Sequence, residues 1–128
     1  MKEQKRQRQA LMEALYQYDF YDLDVSKLEA TIAFTDHKER FLKIIEVYQS
    51  INDVIESSLQ NYTLNRLSMV DRAILRLATY EMKYEKLPKE IAINEALELT
   101  KMFTNLDDHK QVKFNNKVLD TIASKLGL

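Results

Sequence analysis

Apolar positions recur at about the helical period along almost the whole chain, and that spacing predicts a series of helices. Leu11, Ala14, Leu15 and Tyr18 mark one buried face of a first helix from about Gln4 to Asp19. A second stripe on it, Lys5, Gln9, Met12 and Tyr16, has Arg8 beside it, so a cationic start leads along one side toward an aromatic ring. The segment YDLDVSKLEA interrupts the pattern, and Ser26 is placed to cap a short helix through about Phe34. Phe41, Ile44, Ile45, Tyr48, Ile51, Val54, Ile55 and Leu59 then predict one long helix from about Asp36 to Gln60, capped by Asp36 with Glu39 three positions on.

NYTLNRL reads as a short helical turn, after which Ser68 and Asp71 form a capping pair for a central helix, Val70 to about Tyr84. That helix has two apolar stripes, Val70, Ile74, Leu77 and Leu75, Ala78, Met82, which leave its polar residues Arg72, Arg76, Thr79 and Lys83 on one narrow line. Such a helix is buried on most sides. Pro88 opens the next one, where its missing N–H costs little, and Ile93, Ala96, Leu97, Thr100 and Phe103 give it a buried face. TNLDD leads to a last helix carrying Val112, Leu119, Ala123 and Leu126.

Composition sharpens this into an all-α fold of six or seven helices. Gly127 and Pro88 are the only glycine and proline, which removes hairpin turn chemistry and any glycine-rich phosphate loop. A length of 128 residues fits a single domain with one modest core. No run approaches the roughly 18 apolar residues of a membrane span, the N-terminus does not read as a secretory leader, and the absence of cysteine fits a reducing cytoplasm. The net charge of −1 is unevenly spread: Lys2, Lys5, Arg6 and Arg8 against Glu3 give the first eight residues +3, leaving −4 for the remainder. A concentrated basic end is what a polyanion would meet.

Catalysis is not expected. His37 and His109 are the only histidines, no carboxylates cluster at metal-ligand spacing, and no serine or threonine is marked as a nucleophile, so neither a metal nor a cofactor is expected.

Four blocks in order resemble the NusB family of bacterial antitermination factors: the basic start running into ALYQ at 14–17, NYTLNRLSMVDRAILRLATYE, Pro88 followed by IAINEALELTK, and DDHK leading to KFNNKVLD. The resemblance implies two small helical bundles packed across one another. It also implies binding of a single-stranded boxA-type RNA element of ribosomal RNA leaders, together with the ribosomal protein NusE and within the RNA polymerase antitermination complex. Self-pairing of the free protein is a further expectation, because a surface that waits for partners is often partly apolar. Two departures from the family stand out, Lys117 where glycine is usual and about two extra residues between His109 and Phe114.

Candidate RNA-binding residues are Lys2, Lys5, Arg6 and Arg8 for phosphates, Tyr16 and Tyr62 for stacking on unpaired bases, and Asp107 for base amino groups or a ribose hydroxyl. The competing roles are a solvated basic tail, core tyrosines and a helix cap. Asp71 and Phe114 match partner-binding positions, against a capping carboxylate and a core aromatic. Glu81, Asn94, Glu95 and Asn116 read as polar groups that hold helices in register. On this reading Arg6→Ala with Arg8→Ala weakens RNA binding and spares helical content, and four phosphate contacts give a log-log salt slope of roughly −3. The alternatives are a protein-interaction module without RNA binding and the RNA-binding domain of a ribosomal RNA methyltransferase.

Overall fold

The computed structural model describes residues 2–28, 36–104 and 109–128. Among these there are six α-helices, two short 3-10 turns and no strand. The helices are α1 (Lys2–Phe20), α2 (Lys38–Glu46), α3 (Tyr48–Ser58), α4 (Met69–Lys83), α5 (Lys89–Phe103) and α6 (Lys110–Lys125).

Helix α4 is the centre of the molecule, because every side chain from Ala73 to Met82 is buried. It packs against α1, α3, α5 and α6, while α1 and α2 pair on the one hand and α3, α5 and α6 on the other, so two helical groups share one core helix. Full burial forces the polar side chains of α4 to find partners. Thr79 donates to the Leu75 carbonyl at 2.7 Å. Arg76 donates to Asp19 of α1 at 2.9 Å and Asn52 of α3 at 2.8 Å, and its guanidinium lies 4.6 Å from the centroid of the Tyr48 ring. Arg72 approaches the same Asp19 carboxylate at 3.4 Å, without hydrogen-bond geometry at Nε. The narrow polar line seen in the sequence is therefore a set of internal ties and not a solvated edge.

The predicted long helix is two. Val47 leaves helical geometry at φ −113 and ψ 19, and its N–H bonds the Ile44 carbonyl at 3.1 Å. Across this break Phe41 of α2 and Tyr48 of α3 both meet the ring of Tyr18, edge-on, at centroid distances of 5.9 and 5.2 Å. The apolar period runs through the break undisturbed, which hides it in the sequence. The expected Asp36 cap does not form either: His37 precedes Lys38, and no side chain caps this helix. Ser26 is held by Asp24, which accepts from both its N–H and its hydroxyl; residues 29–35 of the helix it was expected to cap lie outside those described.

Helix ends follow known chemistry. Gly127, at φ 80, closes α6 with Leu128 N–H on the Ala123 carbonyl and Gly127 N–H on that of Ser124, the paired bonds of a Schellman motif. Asp22, at φ 54, closes α1 in the same way. Ser68 caps α4 as expected, accepting from the Asp71 N–H at 3.0 Å.

Candidate nucleic-acid and partner interface

The basic beginning is helical from Lys2, so its cations have fixed places instead of belonging to a loose tail. Lys2, Lys5 and Arg6 are exposed, whereas Arg8 is not: its side chain is only 11 % exposed, and Nε donates to Glu81 of α4 at 2.9 Å. Glu81 is 2 % exposed and also accepts from Arg40 of α2 at 3.3 Å, while Arg40 grips both oxygens of Glu85. Burial pushes the Glu81 carboxyl above the ordinary glutamate value, opposed by the two guanidinium groups, and the hydrogen bond from Arg40 to Glu85 raises the arginine. Arg8 is thereby a clamp between α1 and α4. Glu95 of α5 stands further off, 3.5 Å from Lys5 and 3.9 Å from Arg8. Glu81 and Glu95 thus tie helices as expected, but Asn94 and Asn116 are exposed and do not.

Two aromatic groups follow. Tyr16 is half-buried and stacks on Phe20, with centroids 6.2 Å apart and planes inclined by 18°, and Phe20 is in turn met edge-on by Tyr21 at 5.1 Å. Phe20 is the most exposed of the three, at 54 %. Met12, placed on the same stripe by spacing, is buried, so the stripe turns inward between the cations and the rings. Tyr62 is 51 % exposed and meets the Phe114 ring edge-on at 5.5 Å. Tyr62 and Phe114, expected to serve RNA and partner respectively, thus belong to one patch, with Arg66, Lys110 and Gln111 around it.

Asp71 lies beneath that patch. It is 4 % exposed, and its carboxylate accepts from the Ser68 hydroxyl at 2.7 Å and the Asn115 amide at 3.1 Å. Asn115, fully buried, also donates to Thr100 at 3.0 Å and accepts from Gln111 at 3.1 Å. This knot joins α4, α5 and α6. Asp71, matched to a partner-binding position, is buried here and tied into the knot through both carboxylate oxygens, and the capping pair expected as its alternative role is formed with Ser68. Asp107 lies outside the described residues.

The NusB family model matches residues 5–124. The transcription antitermination protein NusB of Bacillus subtilis (strain 168) is 36 % identical over 125 residues, covering 93 % of each chain. The chain belongs to the NusB family. A solved structure of T. maritima NusB, 38 % identical, matches with a TM-score of 0.78 over 94 % of this chain and 90 % of that one. A structure of the antitermination factors NusB and NusE in complex with dsRNA, 24 % identical over 98 % of both chains with a TM-score of 0.75, shares the fold.

As a NusB protein the chain is a transcription antitermination factor and not an enzyme. On this NusB fold the spacing of α1 placed Lys5, Arg6 and Tyr16 on one helix, but not Lys2, which the helix also includes, nor the inward turn of Arg8. Phe20 was missed, although it follows Tyr16 by four positions and so shares its face. Arg40 and Asn115 carried no local signal, because their partners are 41 and 44 positions away in the chain.

Proposed function

We propose that this single NusB-like domain binds a single-stranded boxA-type element of ribosomal RNA leader transcripts in the cytoplasm, together with ribosomal protein NusE. In this role it supports ribosomal RNA synthesis within the RNA polymerase antitermination complex. The observation that carries the reading is the outer side of α1, where Lys2, Lys5 and Arg6 are exposed and the same helix ends in the Tyr16–Phe20 stack. Cations neutralise phosphates, and rings take unpaired bases, which a closed duplex does not offer. The related NusB and NusE complex contains dsRNA; exposed rings are what favours a single strand here.

Tyr62 adds a second ring, and Asp107 a carboxylate for base amino groups. Phe114 serves the partner, with Asp71 fixing the helix that carries it. Arg8 contributes by holding α1 against α4. Fluorescence anisotropy of a labelled leader RNA and a scrambled control, with and without NusE and across a salt series, tests this. Selective binding that tightens with NusE is the expected result. Equal binding to both RNAs reduces the site to nonspecific charge, and no binding even with NusE leaves a protein-interaction module.

A further inference from the structure

Tyr62 is the common wall of three shallow hollows at the end of α3 and the flank of α6. Arg66 lines two of them, Lys110 the one that reaches Phe114 and Ser68, and Lys117 the one that reaches Phe114 and Thr121. Lys110 and Lys117 stand two turns apart on α6, about 10 Å along its axis, so they bracket the ring pair from either side. All three cations are exposed, and none has an ion pair among the described residues.

Among the described residues the only carboxylate lining these hollows is that of Asp71, which is 4 % exposed and already accepts two hydrogen bonds. This contrasts with α1, where Glu95 stands beside Lys5 and Arg8. The ring itself is presented: Phe114 holds Tyr62 by its edge and leaves it half exposed. The three hollows have volumes of about 630, 250 and 390 Å³, room for a base and its sugar beside the ring.

Lys117 lies in the regular middle of α6, where its carbonyl accepts from the Thr121 hydroxyl at 3.0 Å. Its exposed side chain adds a charge to this face.

We propose that Arg66, Lys110 and Lys117 around Tyr62 form a second anchoring point for single-stranded RNA, taking phosphates on the three cations and a base on the tyrosine ring. This rests on the RNA-binding reading above and extends it to three residues outside α1. Unpaired cations beside an exposed ring fit a polyanion with flat bases better than an apolar protein surface.

The test uses the full chain and labelled leader RNA in a salt series, comparing the wild type with Arg66→Ala/Lys110→Ala/Lys117→Ala and, separately, with Lys2→Ala/Lys5→Ala/Arg6→Ala. The cluster variant is expected to flatten the log-log salt slope by about 2, with Lys117→Ala alone accounting for about 0.7. Tyr62→Ala should weaken binding by about 5- to 150-fold, and Tyr62→Phe should restore it. Circular dichroism should match the wild type throughout. Dependence on α1 with no change of slope in the cluster variant overturns the second anchor and leaves the function intact. Loss of NusE binding with an unchanged RNA slope overturns it in favour of a protein contact. No RNA binding by the wild type overturns both.

Discussion

Arg8 and Arg6 are two positions apart and have different work. Removing Arg8 leaves a buried Glu81 with Arg40 as its remaining cation, so Arg8→Ala should cost about 2 kcal/mol in urea unfolding. Arg6→Ala should stay within about 0.5 kcal/mol of the wild type and act on RNA binding alone. The double variant therefore carries the stability cost of Arg8 along with the loss of RNA binding, a cost that spacing alone did not reveal. Glu81 has a pH signature of its own. Its carboxyl is held above the ordinary value, so the folded state binds that proton more tightly, and the resulting stability is lost as pH rises through the raised value. Glu81→Gln lacks this loss, and its stability relative to the wild type should climb as pH rises from the ordinary glutamate value through the raised one; a fall would mean that the guanidinium groups outweigh burial. Tyr48 gives the alkaline counterpart. Its buried hydroxyl has no hydrogen-bond partner among the described residues, and burial pushes it up to about 12. Tyr48→Phe should keep neutral-pH stability within about 0.5 kcal/mol and reduce a loss of stability that begins as pH passes the ordinary tyrosine value near 10, leaving the part due to Tyr18 and Tyr80, whose hydroxyls burial also pushes up. Unfolding curves across alkaline pH read this directly.

At the scale of elements, helix existence was legible and helix continuity was not. Period, the Ser68 cap and Pro88 located α4 and α5 to within a residue or two, because these signals act within a single turn. The break at Val47 has no glycine or proline to announce it; it arises where α2 and α3 bring Phe41 and Tyr48 to one ring of α1. Phe103, expected to face inward, is 39 % exposed at the end of α5, beside Met102 at 61 %. The buried polar knot was half legible: Asp71 was visible as a cap, but its partner Asn115 sits next to Asn116, and only packing distinguishes the two. Asn115→Leu would leave Asp71 and Thr100 each without one hydrogen bond in a buried site and should cost about 2 kcal/mol. Asn116→Leu, on the solvent side, should cost little. Urea midpoints of the two variants separate them.

For the whole molecule, the arrangement of charge matters more than its sum. A chain of net charge −1 presents three exposed cations on α1, so that helix alone should contribute a salt slope of about −2 to single-strand binding, smaller than four free cations would give. The Lys2→Ala/Lys5→Ala/Arg6→Ala variant measures that share in anisotropy titrations. What the sequence determined by itself is what local spacing and short-range chemistry dictate: an all-helical chain, a buried central helix, a basic first helix carrying Tyr16, and the four blocks that mark the family. What the tertiary structure decided is which polar groups are available. Arg8 became a clamp, Asp71 a buried tie, Asn115 a hub, and Tyr62 and Phe114 one patch. Each of these depends on a group brought close from more than forty positions away along the chain, and no helical period records such a meeting.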